Sequence, residues 1–200
     1  MPRTSIKLPA AQPGLFANGP IVLATDGETG IVYTPAAIDA RSAQCWFESI
    51  RAGAAWSSER RLMYDREVDV PRLVARYRLD EKLPPGLNDA AIAVANATGV
   101  DFNSVGLNWY RDGRDSVAPH NDRLEELVPG FPIVLLSLGT ARRMVLQEKA
   151  HARRTLHVDL EPGSLLSMSY AAQHDWLHGI PKVRDAAGER ISLAFRVRPA

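Results

Sequence analysis

Two hundred residues, 46% of them hydrophobic, with 24 basic against 23 acidic side chains, are enough for one core of a single medium-sized domain and too balanced in charge to attract a partner by a global field. A nucleic-acid partner would need a local basic patch. Cys45 is the lone cysteine, which excludes an intrachain disulfide and a thiolate metal site, and no apolar run reaches the length of a signal core or a membrane span. The expectation is one domain over residues 1–200, cytoplasmic, monomeric and without a membrane partner.

Residues 1–18 read as an irregular arm, because Pro2, Pro9, Pro13 and Gly14 oppose regular structure. Ile21 to Ala24 and Gly30 to Tyr33 are short strand candidates around a Thr25-Asp26-Gly27 turn. A helix is expected next, capped by Thr34 with Pro35 in its first turn, with Ile38, Ser42, Cys45, Trp46 and Ile50 on one face and Cys45 buried there. A second helix is read from Leu87, Ala91, Val94, Ala95 and Thr98, starting near Asn88 or Asp89 and closed by Gly99. From Ser104 onward, runs at Ser104 to Arg111, Ile133 to Leu138, Arg143 to Gln147, Leu156 to Leu160, Ser164 to Met168 and Arg190 to Val197 alternate with glycine-containing turns. Two helices followed by many short strands predict an α+β chain whose C-terminal part is an antiparallel sandwich or barrel.

His120-Asn121-Asp122 carries the chemistry. One intervening residue puts the imidazole and the carboxylate on the same side of an extended strand, because side chains alternate with a period of two. With His178 arriving from a later strand, two imidazoles and a carboxylate can cap one face of a metal and leave the other face open, as a non-haem Fe(II) oxygenase requires. Arg190 and Arg196 lie six residues apart on one face of a strand and offer permanent positive charge to a dianionic co-substrate. Taken alone, His-x-Asp is more often a capped turn or a surface pair, and paired strand arginines are more often solvated.

The order of motifs decides between these readings. Asn108-Trp109-Tyr110-Arg111-Asp112-Gly113, then His120 and Asp122, Pro162-Gly163-Ser164-Leu165-Leu166, His178-Gly179-Ile180-Pro181 and Arg190 to Arg196 together resemble the AlkB family of Fe(II)/2-oxoglutarate-dependent dioxygenases. The likeness runs over about residues 60 to 198. It implies a double-stranded β-helix, or jelly roll, over residues 104–198 with the N-terminal helices packed against it. It also implies Fe(II) held by His120, Asp122 and His178, and 2-oxoglutarate and O2 as co-substrates. Arg190 would pair with the distal carboxylate of 2-oxoglutarate, Tyr110 would support it, Ser192 would lie beside it, and Asn108 and Arg196 would stand near its metal-binding end. The implied reaction is oxidative removal of a methyl group from an alkylated nucleobase in DNA or RNA, of the 1-methyladenine or 3-methylcytosine type, releasing formaldehyde, succinate and CO2.

Departures from the family pattern gather where substrate is chosen. Ser192 and Ala194 stand where the family usually has asparagine and threonine. The residue two after the iron aspartate, acidic in base-repair members, is Leu124 here, and a one-residue shift would let Glu125 substitute. Residues 56–86 form the candidate nucleotide-recognition lid, in which Arg72 and Arg76 follow a proline-arginine lead-in and Tyr64, Tyr77 and Leu79 are candidates to stack on a flipped base opposite His120. Two basic runs, Arg60 to Arg78 and Arg142 to Arg154, are candidate phosphate contacts. The altered rim keeps two alternatives open: the same oxygenase acting on tRNA, a protein or a small molecule, and a non-catalytic nucleic-acid-binding module.

Overall fold

Twelve strands and three helices follow one another in the described part of the chain. They are β1 (Ile21–Ala24), β2 (Ile31–Thr34), α1 (Ala40–Gly53), β3 (Ser57–Met63), β4 (Arg66–Arg78), α2 (Leu87–Thr98), β5 (Ser104–Tyr110), β6 (Val117–His120), β7 (Ile133–Gly139), β8 (Arg142–Glu148), β9 (Thr155–Leu160), β10 (Leu165–Met168), α3 (Ala172–Asp175), β11 (Trp176–Ile180) and β12 (Arg190–Arg196). The structure is a computed structural model and describes residues 19–63, 66–150, 154–184 and 188–199, without the side chains of residues 59–63 and 66–70. The amino-terminal arm, Tyr64, His151, Arg153 and the side chains of Arg60, Arg61 and Arg66 lie outside the described residues. No described helix is long and apolar enough to cross a membrane.

The strands form two antiparallel sheets, an eight-stranded one in the order β1-β2-β10-β7-β12-β5-β4-β3 and a four-stranded one in the order β6-β11-β8-β9. Alternation sorts the side chains into two cores. Tyr110, Leu135, Leu166 and Met168 of the large sheet meet Met144, Leu146, Val158, Leu160 and Ile180 of the small one. The other face of the large sheet, through Leu107, Leu136, Leu138, Leu193 and Phe195, packs on Phe47 and Ile50 of α1 and Val94 of α2. Strands covered on both faces have no solvated side, which is why β7 and β12 read as continuous burial. The α+β jelly roll with helices against one face is thus the architecture observed.

Both helices depart locally from the expected boundaries. Thr34 does not cap α1; it pairs with Leu165 as the last residue of β2. The cap is Asp39, whose carboxylate accepts from the Ser42 N–H at 2.9 Å. The buried face of α1 is Ala43, Phe47 and Ile50, so Cys45 turns to solvent. Helix α2 starts after Gly86 and buries Leu87, Ala90 and Val94, with Gly99 closing it in the left-handed conformation as expected.

Within residues 56–86, read as the lid, β3 and β4 pair antiparallel and β4 joins the large sheet. Leu73 to Arg78 pair with β5, whereas the outer part of β4 pairs with β3 alone. The β3–β4 register shifts between Ser58 and Arg60. Pro71, which has no N–H to give a ladder, falls opposite that irregularity.

Candidate functional site

His120 is the last residue of β6 and stands directly opposite His178 of β11, with ring centroids 4.4 Å apart. Gly179 allows this approach: a Cβ there would lie 2.9 Å from the Pro119 nitrogen and 3.0 Å from the Val117 oxygen. The His120 Nδ1 lies 2.9 Å from the Ala118 carbonyl, so it carries the proton and leaves Nε2 for a metal. Asp122 completes the set, and the ligand atoms of His120, Asp122 and His178 all lie within 4.8 Å of one another. Strand geometry alone does not hold Asp122, since β6 ends at His120. Its Oδ2 accepts from Arg196 Nε at 2.6 Å and its N–H donates to Gln173 Oε1 at 3.0 Å.

Electrostatics prepare this trio for a cation. Burial alone would raise the Asp122 carboxyl, but the charge and hydrogen bond of Arg196, joined by the two imidazoles, hold it below the ordinary carboxylate range. His178 is pushed down to about 3, first by burial and then by His120. Its imidazole is therefore neutral and ligand-ready at any physiological pH.

Beside the trio lies a cavity lined by Asn108, Tyr110, Leu135, Met144, Arg190 and Ser192, together with Arg72 and Arg196. These residues share a face by register: Tyr110 is opposite Arg190 and Asn108 is opposite Ser192 across the β5–β12 ladder. Arg190 is 1% exposed, and its Nε donates to Ser137 Oγ at 2.9 Å. Its Nη1 and Nη2 have no partner. Burial lowers its pKa to about 10, which still leaves it charged at neutral pH. A second buried guanidinium, Arg142, approaches the Tyr110 ring at 5.6 Å, as Arg190 does at 5.3 Å. A buried cation with two unused donor nitrogens demands an anion, and a carboxylate accepts two parallel N–H bonds from such a fork. The residues present therefore fit a dicarboxylate with one end on Arg190 and the other at the His-Asp-His face.

The 2OG-Fe(II) oxygenase superfamily profile matches residues 30–196. The chain belongs to that superfamily. Fe(II), 2-oxoglutarate and O2 are the cofactor set of this oxygenase family. Human DNA oxidative demethylase ALKBH2 is 36% identical over 110 residues, 52% of this chain and 42% of the human protein. Bovine alpha-ketoglutarate-dependent dioxygenase alkB homolog 3 is 28% identical over 196 residues, 88% of this chain and 68% of its own. The chain spans about half or less of the length of the ALKBH2 relatives it matches. Among solved structures, OsALKBH1 superposes with a TM-score of 0.55 at 14% identity over 84% of this chain and 97% of its own. A 2OG-Fe(II) oxygenase family oxidoreductase from Burkholderia pseudomallei gives 0.59 at 16% over 86% and 88%.

Other expected site residues of the oxygenase separate by geometry. Arg196, expected near the metal-binding end of the co-substrate, lines the cavity, and its Nε and Nη1 donate to Asp122 and to the Ala194 carbonyl, so it also orients the metal ligand. Asn108 accepts from Arg72 Nε at 2.6 Å, which draws Arg72 into the cavity wall. Arg76 is exposed and opposite Gly106, on the cavity face of the sheet. Tyr77 and Leu79 do not face the iron site. Both pack on the helix-side core, and the Tyr77 hydroxyl accepts from the Ala55 N–H at 2.8 Å. Leu124 packs onto the inter-sheet core, and Glu125 stands in solvent.

The described cations of the second basic run have partners within the protein. Arg142 donates to the carbonyls of Asp112, Asp115 and Pro181, Arg143 pairs with Asp159, and Lys149 Nζ donates to the Gln173 carbonyl. Arg154 pairs with Glu148. Gln173 and Ser137 escape the reading of the sequence, and Arg142 enters it only as a candidate phosphate contact, not as a buried cation beside Tyr110. The signal for Ser137 is a lone hydroxyl inside the run Ile133 to Leu138; Gln173 and Arg142 carry none, because their burial is a tertiary fact.

Proposed function

We propose that the protein oxidatively demethylates alkylated nucleobases in DNA or RNA, of the 1-methyladenine or 3-methylcytosine type. The observation that carries this is the buried, half-unpartnered Arg190 beside the His-Asp-His trio in a chain whose relatives include a DNA oxidative demethylase. Bound iron with 2-oxoglutarate supplies the oxidation of an N-methyl carbon, with succinate, CO2 and formaldehyde as products. The chain's own residues do the rest. Arg190, itself held by Ser137, anchors and orients the distal carboxylate. Leu135, Met144 and Ile180 keep water from the reacting end. Arg196 fixes the Asp122 carboxylate through Oδ2. The outer β3–β4 ribbon and Arg76 supply the rim on which a strand would lie.

The test is incubation of iron-loaded protein and 2-oxoglutarate with single-stranded, duplex and RNA oligonucleotides carrying 1-methyladenine or 3-methylcytosine. Formaldehyde and restored base should appear, and both should vanish in His120→Ala. No turnover on any of them, by protein shown to hold metal and co-substrate, would sink the nucleobase reading. Leu124, seated on the inter-sheet core where base-repair members carry an acid, favours a second reading: the same oxygenase acting on tRNA, a protein or a small molecule. Succinate formation stimulated by a cell extract and indifferent to methylated oligonucleotides would select it.

A further inference from the structure

We infer that Gln173 is a positioning residue for the metal centre, its side-chain carbonyl holding the main chain of Asp122 so that the carboxylate meets the metal together with His120 and His178.

Asp122 lies two residues beyond the end of the paired strand, in the segment between β6 and a 3-10 turn at Leu124–Glu126. No ladder fixes its backbone there. A carboxylate on a free backbone could swing away from two imidazoles whose strands hold them opposite one another. Arg196 restrains the carboxylate through Oδ2, and Gln173 restrains the peptide through the Asp122 N–H, at 3.0 Å.

Gln173 is suited to that role by its own support. It is 1% exposed, and it sits on α3, the short helix that leads directly into β11 and His178. The Ala172 N–H donates to Ser169 Oγ at 2.9 Å, the Gln173 N–H to the Tyr170 carbonyl at 3.1 Å, and Lys149 Nζ to the Gln173 carbonyl at 2.8 Å. Ser169 Oγ in turn donates to Asp26 in the β1–β2 turn. Among the described residues the side-chain amide nitrogen meets the Met168 sulfur, at 4.0 Å. The carbonyl oxygen is therefore the end that must face the Asp122 donor. One helix thus sets the start of the strand bearing His178 and the peptide bearing Asp122. That couples two ligands from different segments.

A polar group buried merely for packing would affect folding and leave ligation alone. Metal titration separates the two roles without nucleic acid or turnover. Metal-free protein is titrated with Mn(II) and Co(II), and the Co(II) ligand-field spectrum is recorded beside a thermal melt. Gln173→Leu keeps the volume and removes the acceptor. It should weaken metal binding by about 10- to 100-fold, the usual effect of losing a group that orients a ligand, and should alter the Co(II) spectrum. Gln173→Glu keeps an acceptor oxygen in place and should restore affinity and spectrum to near the native values. If Gln173→Leu fails to fold, Gln173→Asn, one methylene too short to reach, carries the same expectation. Native affinity and a native spectrum in the folded Leu or Asn variant would overturn the role, as would a Glu variant no better than Leu. Native protein that binds neither ion would overturn the metal assignment itself. The inference rests on the metal site and survives a failure of the nucleobase reading.

Discussion

At the inner end of the cavity Arg190 is 1% exposed with two nitrogens unpartnered, whereas in the loop after Asp122 Arg123 pairs with Glu126 in solvent. The inner end is fixed on three adjoining strands, β7, β12 and β5, paired along their lengths. The rim is built from a ribbon with no third strand beside its outer part and from the loop after Asp122. A buried charge without a partner states which ligand it needs, because leaving it alone costs far more than a surface pair returns. A solvated rim makes no such demand, and many substrates could satisfy it.

Removing the inner charge tests this contrast most strongly. Arg190→Met should weaken 2-oxoglutarate binding to the Mn(II)-loaded protein by about 10- to 100-fold, the worth of charge-assisted hydrogen bonds, read by calorimetry. Binding within about twofold of native would mean that the inner end is no more committed than the rim.

The next effect is on stability. His178 titrates at about 3 when folded against an ordinary 6.5, so the unfolded chain takes up its proton first as pH falls. Metal-free protein should lose about 1.4 kcal/mol between about pH 7.5 and about pH 5.5, measured by denaturant melts. Asp122, depressed in the fold, acts in the same direction at lower pH: its contribution is complete above the ordinary carboxylate value and disappears as pH falls through the folded one. His178→Gln should flatten the profile above about pH 5. An unchanged slope would place the burial elsewhere.

The smallest effect belongs to the rim. Arg76→Ala should leave 2-oxoglutarate binding unchanged and reduce the log–log salt dependence of oligonucleotide binding by about 0.7 to 0.9, one phosphate contact. An unaltered slope would remove Arg76 from the interface and with it one support for a nucleic-acid rim.

The same contrast governs what could be read in advance. Strands β5, β7, β9 and β12 announce themselves by alternating or continuous apolar runs, and His120, Asp122, His178 and Arg190 by their order. Strands β6 and β11 are short and carry Pro119, His120, His178 and Gly179, so they look like loops until they are paired. Strand β4 reads as a charged segment because Arg66, Glu67, Asp69, Arg72, Arg76 and Arg78 mask its alternation. Thr34-Pro35 and Asp39 are both acceptable starts for α1, and only the pairing of Thr34 with Leu165 decides for Asp39. Residue type alone makes Tyr77 a stacking candidate; parity against Val105 puts it on the helix side.

Strand β6 is the edge of the small sheet and pairs only with β11, through a ladder interrupted between His178 and Ile180. Strand β12, by contrast, is clasped on both sides. Opening therefore has a preferred place: the edge bearing His120 can detach while the double ladder under Arg190 stays closed. A bound cation would close that edge by mass action. The protein would then exchange its metal by unzipping one border, with the anion clamp intact throughout.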